Sequence, residues 1–184
     1  MMKTLLALIK RNIKLFFKDK GMFLTSLITP LILLVLYISF LGNVYEDTFM
    51  LNIPNASMLS KELINSLVGG QLISSILAVS CITVAFCSNF LMVQDKANGT
   101  IKDLMVSPVK SHILSLSYYL ATLCSTLIIC LTATVACLFY ISIVGWYYSF
   151  IDVLLIFLDV FLLVMFGTAL SSVICALLIT ILSS

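Results

Sequence analysis

The sequence predicts an all-α, polytopic membrane protein, with an N-terminal amphipathic interfacial helix followed by four transmembrane helices. Hydrophobic residues make up 62% of the 184 residues and charged residues only 10%, a composition far from that of soluble domains. The apolar residues gather in four long uncharged runs, each able to cross about 30 Å of hydrocarbon as a helix. The net charge of +2 does not favour a nucleic-acid partner. No repeat or linker divides the chain, so residues 1–184 are expected to form one domain.

The interfacial helix is predicted over residues 3–20. On a helical wheel its apolar side chains occupy about one third of a turn. Its basic side chains occupy another part of the wheel, and they are Lys3, Lys10, Arg11, Lys14 and Lys18. This pattern favours a helix on the membrane surface with its cations toward anionic lipid. A solvated helix of a soluble protein is the alternative.

The four spans are predicted over residues 22–42, 69–93, 113–144 and 150–182. Pro30 predicts a kink in the first span or a boundary with the interfacial helix. The loop after this span is net negative whereas the N-terminus is basic, so the positive-inside rule predicts a cytoplasmic N-terminus in the cell membrane. The second span is rich in small and hydroxylated residues, which predicts close helix packing, with a polar pathway as the alternative.

Two acids lie at one end of the fourth span. Asp152 and Asp159 are seven residues apart, so they share one helical face. Asp152 is expected at the membrane interface, and Asp159 about 10 Å deeper by helical rise. An acid at that depth is costly unless it faces protein or water. A helix packing contact and a place in a transport pathway both remain open for Asp159.

One polar segment, residues 93–114, separates the long apolar runs in the middle of the chain. Gly99 is expected to end the preceding helix, and Thr100 to cap a new one with Asp103 at capping-box spacing. Pro108 disfavours the helical conformation of Ser107, so the new helix must be short. The pattern predicts a helix of about two turns within residues 99–108, acting either as an ordinary loop or as a docking element for a soluble partner.

This segment resembles the cytoplasmic coupling helix of ABC-2 type transporter permeases. The resemblance is carried by Asp95-Lys96, Gly99-Thr100, Leu104-Met105 and Ser107-Pro108-Val109, together with the basic helix before the first span. It implies a domain of six spans, of which this chain supplies four. The chain is therefore expected to be truncated, covering about the first two thirds of the family's domain.

The resemblance implies a permease subunit that couples ATP hydrolysis by a separate ATPase to export of an unidentified substrate. ATP and Mg²⁺ are expected on that ATPase, and a second permease copy is expected to complete a homo- or heterodimer. Leu104 and Met105 are the expected apolar anchors for the ATPase. The full expected docking set is Gly99, Thr100, Lys102, Asp103, Leu104, Met105, Ser107 and Pro108.

No catalytic or metal-binding motif is found in the sequence. There is no phosphate-binding loop, and the six cysteines lie in apolar runs without a C-x-x-C pair. The single histidine, His112, has no second ligand nearby in sequence. We therefore predict no enzyme activity, no metal and no cofactor in this chain. Two alternative functions remain: a non-transporting membrane anchor or assembly protein, and an ion-coupled carrier that uses Asp159.

Overall fold

A computed structural model describes residues 2–52, 61–106, 111–144, 146 and 148–181. Within these residues the chain forms helices with short connections, and no strand. The α-helices are α1 (Met2–Lys18), α2 (Lys20–Leu36), α3 (Gly42–Asn52), α4 (Lys61–Ala97), α5 (Thr100–Val106), α6 (Ser111–Val144) and α7 (Phe150–Ile181). A π-helical turn, Tyr37–Leu41, joins α2 to α3.

Four helices are long and apolar enough to cross a membrane, as the sequence predicts. Their candidate spans are Lys20–Phe40, Leu67–Ala97, Ser111–Ile143 and Phe150–Leu178. The helices themselves extend beyond the predicted runs, because α3 and the first turns of α4 occupy much of the polar stretch after the first span. The fold is therefore all-α with four candidate spans.

The irregularity in the first span lies after Pro30 rather than at it. Helix α2 continues through Pro30, whose side chain is buried, and the π-helical turn follows. There the Gly42 N–H donates to the Tyr37 carbonyl, five residues back. The buried Tyr37 also donates its hydroxyl to the carbonyl of Val68 on α4, with an Oη–O distance of 3.0 Å. The π-helical turn thus accompanies a direct link between the first and second spans.

Helix α4 is the central helix of the bundle. In the most apolar 18-residue stretch of α4, 50% of the residues are buried by other parts of the chain. The corresponding fraction is 17% for α2 and 22% for α7. It packs against α2, α6 and α7, and small side chains allow that close approach. Its fully buried positions include Ser80, Cys81 and Ala85. These three small residues of the second span therefore serve packing, and the outer faces of α2 and α7 are left largely uncovered by the described chain.

Two glycines mark close contacts between helices. A Cβ atom placed at Gly167 of α7 would lie 3.4 Å from the carbonyl oxygen of Cys81. A Cβ atom placed at Gly69 of α4 would lie 3.3 Å from Cδ1 of Ile141 and 3.4 Å from the hydroxyl of Tyr148. Helix α4 can therefore approach its neighbours closely at both of these levels.

The bundle has two distinct ends. Helix α5 connects α4 to α6 at one end, which we call the α5 end, and α1 packs there against the start of α6. The connection between α6 and α7 lies at the opposite end, which we call the turn end, where the rings of Trp146 and Tyr148 meet edge to face at 6.1 Å. Helices α4 and α6 therefore run in opposite directions across the bundle.

Candidate functional site

Gly99 separates the second span from the short helix α5. It has φ +76°, the left-handed conformation that glycine adopts without the steric cost of a side chain. The Asn98 N–H donates to the carbonyl of Gln94 at 2.9 Å, and the Gly99 N–H donates to that of Lys96 at 3.1 Å. These bonds satisfy the last carbonyls of α4 in the manner of a helix C-cap. The predicted break at Gly99 is thus present, and α5 begins at Thr100 and has seven residues.

Helix α5 rests on an apolar cluster formed by three other helices. Its half-buried Ile101 and Leu104 pack there. The other members are Leu5 and Leu8 of α1, Met92 of α4, and Ile113, Leu114 and Tyr118 of α6. Leu104, expected as an anchor for a partner, therefore already contacts its own chain. By contrast, Val106 at the end of α5 is 88% exposed.

Several residues of the predicted docking set carry no structural description. Ser107 and Pro108 lie outside the described residues. Lys102, Asp103 and Met105 belong to α5 by their backbone, but their side chains are not described. The contribution of these five residues to docking therefore stays a prediction.

An ion pair joins α1 to the end of α4 just before α5. Arg11 Nη1 lies 3.1 Å from Oδ2 of Asp95. The Tyr118 hydroxyl of α6 donates to the same carboxylate oxygen at 2.6 Å. Asp95 is 8% exposed and Tyr118 3%. We call Arg11, Asp95 and Tyr118 the clamp, because one carboxylate connects three helices at the α5 end.

Arg11 is held in the clamp by a further contact and by its charge. Its Nη1 also donates to Oδ1 of the neighbouring Asn12 at 2.8 Å. Burial lowers the pKa of the Arg11 guanidinium, but the hydrogen bond and charge of Asp95 outweigh burial and raise that pKa above its ordinary value. Arg11 is therefore charged at every pH at which the protein is folded.

Helix α1 has three faces rather than the two that the helical wheel suggested. The side chains of Lys3, Lys10, Lys14 and Lys18 are exposed along one face. The second face, with Leu8, Asn12 and Phe16, is buried against the bundle, and the third carries the exposed Leu6. Arg11 was grouped with the lysines by sequence, but it lies at the border of the basic and buried faces and turns inward to Asp95.

A second set of polar side chains crosses the bundle next to the clamp. Asn89 of α4 donates to the Ser171 hydroxyl of α7 and accepts from the Thr122 hydroxyl of α6, the latter at 3.0 Å. These three side chains are buried, as are Asn12 and Ser88, whose Nδ2 and Oγ atoms have no hydrogen-bond partner among the described residues. A polar layer of hydrogen-bonded side chains thus links α4, α6 and α7.

Asp159 lies far from the clamp, in a groove at the turn end. The groove has a volume of about 610 Å³ and is bounded by α3, α4, α7 and Tyr148. Asp159 is exposed in it, so the structure does not bury this side chain in a helix packing contact within the chain. Gln71 and Ser74 of α4 line the same groove.

No cluster of metal-ligating residues is formed by the described side chains. They contain no group of three His, Cys, Asp or Glu residues placed to hold a metal ion. The sulfur atoms of Cys81 and Cys130 lie 3.4 Å apart in the core as free thiols. The polar chemistry of the described chain is therefore that of contacts between helices and of one acidic groove.

The helices and the short segment between the second and third spans define a polytopic membrane protein with an α-helical membrane domain. A comparison with protein-family models identifies the family: the model for the ABC-2 type transporter membrane domain matches residues 3–183. The chain therefore belongs to the ABC-2 type transporter family and is a membrane component of an ABC-type transporter. No curated protein and no solved structure matched the chain.

Sequence reasoning missed the clamp as a unit. The resemblance uses Asp95 as part of an acidic-basic signature, and it assigns no role to Tyr118. One signal was available, because Arg11 lies at the edge of the basic face of the wheel. The pairing itself joins residues 84 positions apart, which periodicity within one helix cannot reveal.

Proposed function

We propose that this chain is the permease subunit of an ABC exporter and that a separate ATPase docks on α5. The observation that carries the proposal is the structure of α5. Its Ile101 and Leu104 side is fixed to the bundle, and its far end presents the exposed, apolar Val106. A short helix that packs in this way can receive a force at its exposed end and transmit it to α4 and α6.

In this proposal the α5 end faces the cytoplasm of the cell and α1 lies on the inner leaflet. The four exposed lysines of α1 are suited to anionic lipid headgroups. ATP and Mg²⁺ bind to the ATPase subunit, and a second permease copy completes the transporter. Closure of the ATPase on ATP acts on the spans only through contacts with α5 that differ between its two states.

The clamp gives the mechanism a larger moving unit than α5 alone. Asp95 lies four residues before Gly99, and it binds Arg11 of α1 and Tyr118 of α6. A displacement of α5 is therefore shared by α1 and by the adjoining ends of α4 and α6. In this mechanism Asp95 serves contacts within the chain and not a contact with the ATPase.

The test is an apolar-to-acid substitution at the exposed end of α5. Val106→Asp should lower co-purification of Mg²⁺-dependent ATPase activity with the tagged chain by about tenfold, since a buried charge in an interface is costly. Leu51→Asp is the matched control, because Leu51 is 86% exposed and lies on α3 at the turn end.

The control should retain the wild-type amount of ATPase activity. Thermal unfolding of both variants in detergent should match the wild type, since neither side chain is part of the described core. Equal ATPase recovery with Val106→Asp and Leu51→Asp would refute docking at the exposed end of α5.

A further inference from the structure

The groove at the turn end holds an acid at a depth where acids are rare. Asp159 lies nine residues into α7, so it is about 10 Å further along the helix axis than Asp152. It is exposed in a groove of about 610 Å³, a volume in the range of small-molecule sites. In membrane domains an ionisable residue at such depth is retained where it faces a partner charge or a water-filled cavity.

The two acids of α7 differ in the hydrogen-bond partners of their carboxylates. Asp152 accepts a hydrogen bond from the backbone N–H of Ser149 at 2.9 Å, three residues earlier, and so caps the start of α7. Asp159 has no hydrogen bond or ion pair with another described residue. Helix capping accounts for the presence of Asp152, whereas no contact with a described residue accounts for Asp159.

Among the described side chains, no cation lies in the groove or forms an ion pair with Asp159. The sequence contains no lysine or arginine in residues 21–60, 62–95 or 111–184. Lys61 begins α4, ten residues and about 15 Å of helix before Gln71 in the groove. A second copy packed in the same membrane orientation would bring the same uncharged spans. The described side chains therefore leave the Asp159 carboxylate without a counter-charge.

The walls of the groove indicate which kind of cation fits. Phe49, Ile156 and Tyr148 supply apolar and aromatic surface, while Gln71 and Ser74 supply two polar groups beside Asp159. A small metal ion requires six or more oxygen ligands or several retained waters. Asp152 also lines the groove, but it accepts from the Ser149 backbone and lies about 10 Å from Asp159 along the axis of α7, so beside Asp159 the described residues offer only two neutral polar side chains. An organic cation requires one counter-charge and apolar walls, and aromatic faces favour it further.

We propose that this groove binds an amphipathic organic cation, with the charged group against Asp159 and the apolar body along Phe49, Tyr148 and Ile156. This inference rests on the proposed function, since it names the class of substrate that the exporter would move. It assigns to Asp159 direct contact with the ligand, and to Gln71 and Ser74 hydrogen bonds near the charged group.

Tetraphenylphosphonium is a suitable probe, because it is a permanent cation whose charge lies within a large apolar body. Its binding to the purified full chain in detergent is measured by equilibrium dialysis. We expect saturable binding by the wild type and a Kd raised by about tenfold in Asp159→Asn, which removes the charge at constant shape. Asp159→Glu should recover most of the affinity. Asp47→Asn is the matched control, because Asp47 is an exposed acid of α3 outside the lining of the groove, and it should leave the Kd unchanged within about twofold.

Two results would overturn the proposal. The first is a Kd for Asp159→Asn equal to that of the wild type in a variant that remains monodisperse. The second is the absence of saturable tetraphenylphosphonium binding by the wild type itself.

The binding measurement needs no ATPase, so it is independent of the test on Val106. Cation binding without ATPase docking would support the groove as a cation site and contradict the proposed function as an ABC exporter. ATPase docking without cation binding would support the exporter and contradict the cation site.

Discussion

At the residue scale, the clamp shows how a signature residue can serve the chain's own fold. Asp95 sits in the acidic-basic pair that gave the family resemblance, yet its carboxylate is committed to Arg11 and Tyr118. Removing either donor, or the carboxylate itself, would leave a buried charged or polar group unpaired. Breaking this set of contacts is therefore expected to cost stability.

Neutralising Asp95 should therefore destabilise the α5 end. We expect Asp95→Asn to reduce the free energy of unfolding by about 1 to 3 kcal/mol, a range below that of a fully buried pair because the Arg11 side chain is 30% exposed. Thermal or denaturant unfolding in detergent micelles measures it. The double variant Arg11→Gln/Asp95→Asn should lose less than the sum of the single variants, since neither charge is then left alone.

Tyr118→Phe tests the third member of the clamp. It removes one hydrogen bond of 2.6 Å from the carboxylate and should cost roughly 1 kcal/mol by the same unfolding measurement. Lys10→Gln is the control for charge loss on α1, because Lys10 is exposed, and it should change stability by less than about 0.5 kcal/mol. A loss with Lys10→Gln as large as that with Asp95→Asn would show that the net charge of α1, and not the clamp, sets stability.

At the scale of the helices, local signals predicted most of what the structure contains. Gly99 and the polar segment after it predicted the break and the short helix, because a left-handed residue ends a helix whatever surrounds it. The four apolar runs predicted the four candidate spans, because the length and hydropathy of a run are also local properties of the sequence. The buried face of α1 was not predicted, because Leu8 and Asn12 are buried by contacts with α4 and α6, which no pattern within α1 reveals.

The orientation of α5 depends on the backbone of Gly99. Gly99→Ala should cost about 1 to 2 kcal/mol through its positive φ alone, since no atom lies within 4 Å of the added Cβ. Gly99→Asn should cost less, because asparagine tolerates this conformation better. Unfolding in detergent measures the stability, and co-purified ATPase activity reports the position of α5. An alanine variant with wild-type stability would mean that the junction does not hold this conformation in solution.

The contact between α7 and α4 at Gly167 can be tested in the same way. Gly167→Ala should be tolerated, since its Cβ would meet the Cys81 carbonyl at ordinary van der Waals distance. Gly167→Leu should destabilise by about 1 to 3 kcal/mol, because the larger side chain must push α7 away from the α4 backbone. If leucine were accepted without loss, the close approach of the two helices would be incorrect.

At the scale of the whole molecule, α4 organises the bundle and connects its two ends. It contributes Gln71 and Ser74 to the groove, Asn89 to the polar layer and Asp95 to the clamp. The sequence predicted that this span packs closely, from its small and hydroxylated residues. It could not predict which of its neighbours each residue meets, since those contacts join segments far apart in the chain.

The fold requires that the α5 end and the turn end lie on opposite sides of the membrane. Thr100→Cys should react with a membrane-impermeant maleimide only after the cells are permeabilised, whereas Ser149→Cys should react in intact cells. Wild-type protein is the control for its native cysteines. Reaction of Thr100→Cys in intact cells would place α5 outside the reach of any cytoplasmic ATPase.

The three faces of α1 have a consequence for the surroundings of the transporter. One face carries exposed lysines, one carries the exposed Leu6, and Arg11 beside the buried face binds Asp95 near the end of α4. In the proposed transporter, α1 would therefore connect the inner leaflet mechanically to the ATPase. We expect the charge of the leaflet to alter the rate of ATP hydrolysis. The same transporter complex should therefore hydrolyse ATP at different rates in vesicles rich in phosphatidylglycerol and in vesicles of phosphatidylcholine.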